Sequence, residues 1–166
     1  MSTAFPVHPN PARIAAHLDS VRQLPDAERI STGFLVANGF STDDAGEFIA
    51  LAKSLGMVKL DGSPGPLFER MRTSETLPRE FAWAVVNAYE ALFRQAPSMA
   101  QYEDQKVGAL VAQLLDVPDS SSEVTAVVAT FRALVDSAGA KAIDRAAQRQ
   151  RRADRKLGGT RSTGFL

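Results

Sequence analysis

The sequence predicts a mostly α-helical fold carrying one small β-hairpin, and three observations lead there. Segments with apolar residues three and four apart alternate with proline- and glycine-marked breaks along most of the 166-residue chain. The stretch from Thr42 to Arg70 reads as a helix, a stop at Gly56, a strand over Met57–Leu60, a turn over Asp61–Pro66 and a second strand over Leu67–Arg70. That order of helix then hairpin is how a winged helix ends. The residues from Ala140 to Leu157 are rich in alanine, arginine and glutamine, which favours a helix with little to bury. The expected architecture is a winged-helix-like N-terminal half with a small β-hairpin wing, a helical C-terminal half, and a basic helix and tail.

The elements follow in order. Residues 1–11 hold Pro6, Pro9 and Pro11 and read as an extended arm. A first helix starts after Asn10, with Pro11 in its first turn and Ile14, Leu18 and Val21 as its apolar stripe, and ends at Pro25. Asp26 opens a second helix carrying Ile30, Phe34 and Leu35, closed by Gly39. Ser41 or Thr42 caps a third, with Asp43, Asp44 and Glu47 where the helix dipole favours acids. After the hairpin, Pro78 begins a fourth helix whose stripe of Phe81, Val85, Tyr89 and Leu92 is widened by Trp83, Val86 and Phe93. A fifth runs from about Glu103 to Leu115. Ser120 and Glu123 resemble a capping box opening a sixth, which carries Val124, Val127, Phe131 and Leu134 and ends at Gly139. The chain thus divides into an arm over 1–11, a domain over 12–138, and a basic helix with a flexible tail over 139–166, structureless beyond Leu157. Ser31-Thr32-Gly33-Phe34-Leu35 recurs as Ser162-Thr163-Gly164-Phe165-Leu166. Coincidence is the plain reading, and mimicry of the second helix by the tail is the other.

The bulk numbers exclude several classes. The absence of cysteine removes disulfides, thiolate metal sites and a cysteine nucleophile, and fits a reducing, cytoplasmic setting. The N-terminus lacks a basic region followed by an apolar run, and no apolar run approaches the roughly 20 residues that span a bilayer, so no signal peptide and no membrane partner are expected. The net charge of zero hides a division. Residues 139–166 hold eight basic residues against two acidic ones, a net charge of +6, which leaves −6 on the remainder. An acidic body with a basic extension is a statement about partners.

The ordered pieces Gly39-Phe40-Ser41, Leu51 with Leu55-Gly56-Met57, Asp61-Gly62-Ser63-Pro64, Ala88-Tyr89 with Leu92-Phe93, and Thr130-Phe131 with Leu134 resemble a prokaryotic family, the domain of unknown function numbered 5343. The resemblance covers about residues 12–138. It implies a winged-helix-like first half followed by helices, and carries no established activity and no catalytic residues.

Enzymatic chemistry finds no support in the pattern. His8 and His17 are the two histidines, and no set of metal ligands recurs at i, i+3 or i+4. Gly-x-Ser-x-Gly is absent, and the Gly62–Gly65 loop lacks the Gly-Lys-Ser/Thr of a phosphate loop. No catalytic residue, metal or cofactor is therefore expected. The third helix, with its three acids and Lys53, is a poor match for phosphates. The basic extension suits them better: Arg145, Arg149, Arg152 and Lys156 recur at steps of four, three and four, with Arg151 and Arg155 beside them. Lys59 and Arg70, in the hairpin, complete the expected nucleic-acid contacts. The function expected is a non-enzymatic, DNA-associated regulatory or accessory protein, with a homodimer as its candidate assembly. The alternative is a protein–protein adaptor, self-associating or with another chain, which an acidic third helix favours.

Overall fold

A computed structural model describes residues 4–162, with side chains through residue 158. Its helices are α1 (Ile14–Ser20), α2 (Thr32–Ala37), α3 (Thr42–Ser54), α4 (Pro66–Thr73), α5 (Arg79–Ala88), α6 (Glu90–Gln95), α7 (Asp104–Leu115), α8 (Ser122–Ala138) and α9 (Ala140–Ser162), with short 3-10 turns before α1, after α1 and before α7. α8 lies at the centre and touches α1, α5, α7 and α9. Its Phe131 and Leu134 are fully buried, and the ring of Phe131 meets those of Tyr89 and Phe93.

The expected β-hairpin wing is absent: no strand occurs among the described residues, and the fold there is all-α. What remains of the hairpin is one isolated antiparallel bridge, Val58 to Pro64. The turn itself forms, with Asp61 accepting hydrogen bonds from the Ser63 N–H at 2.9 Å and the Ser63 hydroxyl at 2.6 Å. The second strand does not, because Pro66 is pre-set for the first turn of a helix and Gly65 caps it. Phe68 and Met71, three apart, then bury one face of α4, a period that a strand cannot satisfy. Gly65 is required here, since a Cβ would come within 3.1 Å of the Met57 carbonyl oxygen.

The second helix is also shorter than the pattern suggests. Residues 24–31 are irregular, and α2 begins only where the Ser31 hydroxyl accepts from the Phe34 N–H at 3.1 Å. The backbone upstream finds tertiary partners instead of helical ones. The Ile30 N–H donates to the Gly62 carbonyl at 2.7 Å, and the Arg72 guanidinium donates to the Leu24 carbonyl at 2.9 Å. Arg72 is 16% exposed and also grips Glu69 at 3.0 Å. Because Arg72→Ala strands a buried carbonyl, it is expected to cost about 1.5–3 kcal/mol, read as a lower urea midpoint.

The helix after Pro78 breaks at Tyr89, whose φ of −110° and ψ of 31° separate α5 from α6. The cause is again tertiary. Tyr89 is fully buried, stacks on Phe5 at 5.8 Å, and donates its hydroxyl to the Pro6 carbonyl at 2.9 Å. The arm is held on its other side by the His8 N–H, which donates to the Thr130 hydroxyl at 2.9 Å. At α8 the cap is Ser121, one residue later than the expected Ser120, with its hydroxyl accepting from the Glu123 N–H at 3.3 Å. Gly139, at φ of +91°, makes the corner into α9 in a conformation that an L-side chain adopts only under strain. α9 then runs past Leu157 to Ser162. The repeated pentapeptide has Ser31 capping a helix start and Ser162 in the last described turn, and the rest of its second copy lies outside the described residues.

Candidate nucleic-acid interface

α9 is seated on the body by few and small side chains. Ile143 is fully buried and Ala146 and Ala147 nearly so, at the i, i+3 and i+4 positions of one stripe. The stripe packs chiefly on α5, with α8 alongside. Alanine at these positions lets the helix axes approach closely, so the limited apolar content suffices for docking. The stripe is narrow; Ala140, Ala142, Asp144 and Gln150 are half-buried beside it, and every residue from Arg151 to Gly158 is exposed.

That outward surface is cationic. Arg145, Arg149, Arg151, Arg152, Arg155 and Lys156 are all exposed. Among the described residues, Arg145, Arg149, Arg152 and Arg155 form no salt bridge, while Arg151 donates to the Arg94 carbonyl at 3.3 Å. The two acids of the helix are turned aside. Asp144 accepts a hydrogen bond from the Gln101 side chain, and Asp154 lines the cleft that α9 makes with Glu90 and Arg94. Helical geometry thus sorts a segment of mixed sequence into a packed stripe, two flanking acids, and an outer face of one sign.

The remaining two expected contacts sit on other elements. Lys59 is exposed in the loop between α3 and α4. Arg70, on α4, pairs with Glu80 at the start of α5. Only the six residues on α9 share one continuous surface.

A groove beside this face was not foreseen. Trp83 and Asn87 on α5 and Ala146, Arg149, Gln150 and Ala153 on α9 enclose about 420 Å³. Trp83 reads in sequence as part of the widened apolar stripe, yet it is 43% exposed. The signal was present: Arg79 and Asn87, its i±4 neighbours, are polar and exposed.

The histidines also converge. His8 and His17 are 1% and 3% exposed, with ring centroids 5.5 Å apart. Burial lowers both pKa values below the ordinary imidazole range, against the opposing pull of Glu47 on His8 and Asp44 on His17. The Asn10 N–H donates to His8 Nδ1 at 2.9 Å, which places the proton of the neutral ring on Nε2. Neither ring nitrogen of His17 meets hydrogen-bond geometry, although the Asp44 carboxylate lies 3.5 Å from its Nε2. Among the described residues no group of three or more His, Cys, Asp or Glu is placed to hold a metal ion. No described helix is long and apolar enough to cross a membrane.

Fold and surface together define an all-α protein that presents a cationic helix along one side. The chain belongs to the Family of unknown function (DUF5343), whose model matches residues 8–145. The match takes in the buried Ile143 of α9 and stops short of Arg149. No curated protein and no solved structure matches the chain.

Proposed function

We propose that this protein is a non-enzymatic, DNA-associated regulatory or accessory factor that binds through the outer face of α9, in the cytoplasm of a prokaryote. One observation carries the reading: the exposed arginines of α9 lie on one helical surface, and the four named above are without ion-pair partners among the described residues. Such a row matches the phosphate backbone in sign, and its binding releases counterions. It reads no bases, so it supplies affinity and position rather than sequence choice. The acidic remainder of the chain repels the same backbone and thereby orients the complex.

The test is a binding isotherm of the full chain on a labelled DNA duplex at several salt concentrations. Binding is expected to weaken steeply with salt. The triple variant Arg145→Gln, Arg152→Gln, Arg155→Gln is expected to reduce the log–log salt slope by about 3, roughly one per lost phosphate contact. Its thermal stability should match the parent, because these side chains are exposed and hold nothing. Duplex affinity that ignores salt, or that survives the triple substitution, refutes the proposal. In that case a self-association mode, with the +6 extension of one copy on the −6 body of another, becomes the better account and is read directly from light scattering.

A further inference from the structure

We infer that the groove between α5 and α9 receives an unstacked base of a single-stranded nucleic acid, with the indole of Trp83 as its stacking face. The inference rests on the reading of α9 as a phosphate-binding helix and narrows its substrate class. Four observations support it together. The groove encloses about 420 Å³, within the range of sites that hold small planar ligands. Its wall on α9 is built from Ala146 and Ala153, whose short side chains leave depth beside the indole. The amides of Asn87 and Gln150 each offer both donors and an acceptor, which suits base edges of any pattern. Arg149 belongs to the groove and to the cationic face at once, and its guanidinium forms no salt bridge among the described residues.

This combination of an accessible aromatic beside a positive track is what single-strand binding requires. Stacking on an aromatic is tolerant of sequence because every base has a π-face, and the arginines follow the backbone. A duplex satisfies only half of the arrangement. Its bases are stacked inside and cannot enter a groove without being extruded. Its neighbours suit a base less well: the cleft that brings Phe93 to Arg94 and Arg151 is also lined by Glu90 and Asp154, and its Phe93 is buried. The hollow lined by Pro97, Gln148, Arg151, Arg152 and Arg155 is cationic but has no aromatic wall, and the one between α7 and α8 includes Asp104 and Asp119. A partner protein could use a tryptophan and an arginine too, but the row of exposed arginines that continues from Arg149 along α9 favours a polyphosphate.

Trp83 is the only tryptophan in the chain, so its fluorescence reports on this groove alone. The full chain is titrated with oligo-thymidylate, oligo-uridylate and a blunt DNA duplex with the same number of phosphates. Quenching by the single strands and little by the duplex is expected; the thymidylate and uridylate arms tell DNA from RNA. By anisotropy of labelled strands, Trp83→Ala is expected to lose roughly 5- to 150-fold in single-strand affinity, the range for one stacked base. Its duplex affinity should be unchanged, and Trp83→Phe should recover most of the loss. Helical circular dichroism equal to the parent's confirms that both variants fold, as a half-exposed position allows.

The base site is overturned if the duplex binds while single strands leave the fluorescence unquenched, or if Trp83→Ala weakens both forms equally or neither. The phosphate-binding reading survives those results. Absence of binding to any of the three polymers overturns both. A concentration-dependent blue shift without nucleic acid, with a dimer mass by light scattering, assigns the groove to a second copy and also overturns it.

Discussion

Replacing Ile143 by alanine lowers the unfolding free energy by about 2–5 kcal/mol, the range for a fully buried aliphatic side chain that leaves a cavity. The effect is large for this fold because domains of its size are stable by only about 5–15 kcal/mol. It is also specific to the way α9 docks. Beside Ile143 the buried part of the packed stripe consists of Ala146 and Ala147, so one side chain supplies most of the apolar volume. The corresponding control is Arg152→Ala, which lies on the outer face and should stay within about 0.5 kcal/mol of the parent. Urea midpoints for the two variants, at unchanged m-value, separate a docked helix from a loosely attached one. Equal midpoints would mean that α9 contributes nothing to the fold, and the surface described for it would then lack a rigid support. The same dependence explains why removing residues after 138 is a poor probe of the basic helix: it also uncovers the faces of α5 and α8.

Below about pH 6.5 the protein loses stability, because His8 and His17 are buried as neutral rings. The direction follows from linkage. Burial depresses both native pKa values, whereas the unfolded chain takes up protons near the ordinary value of 6.5. Between the unfolded and native values the unfolded state binds more protons, so stability falls as pH falls. The slope reaches about 1.4 kcal/mol per pH unit for each ring, or about 2.7 for the pair, and flattens once the native pKa values are passed. Above 6.5 that dependence fades, as the unfolded rings lose their protons over about one further pH unit. A second, lower window belongs to Asp44. Desolvation opposes its ionisation, but the Arg13 guanidinium at 2.6 Å prevails and holds its pKa below 3.8, so its contribution is lost only as pH falls through the carboxylate range. Urea midpoints from about pH 8 to about pH 5 resolve the first window. His17→Leu is expected to remove about half of the slope there, since His17 lies among Phe40 and Phe48 and neither of its nitrogens is hydrogen-bonded. A slope unaltered by that substitution would place the acid sensitivity elsewhere.

The legible parts of the fold were those set by local chemistry. The Ser41 cap, the length of α3 and its stop at Gly56 follow from residues within one or two turns, and the structure has them as α3 over Thr42–Ser54 with Gly56 at φ of +71°. The apolar spacing also found much of the core, including Phe81, Val85, Tyr89, Leu92, Phe131 and Leu134, although Phe34 is only partly buried. The hairpin misled because Leu67–Arg70 is too short to show its period. Met71, one residue further on, pairs with Phe68 at helical spacing and decides for α4. The family resemblance covered the same ground and supported membership, while the wing that came with it is not in the described structure.

The sequence by itself determined the segregation of charge and the helical character of nearly every element, since composition, caps and three-to-four spacing are properties of neighbours along the chain. It placed Arg145, Arg149, Arg152 and Lys156 on one side of a helix, and they lie so. Only the tertiary structure decided which side of that helix is covered. Ile143 and two alanines turn against α5, and that rotation sends the cations outward, turns Asp144 and Asp154 aside, and sets Trp83 next to Arg149. Contacts between residues so far apart in sequence are chosen by the packing of whole faces, and no local pattern encodes them.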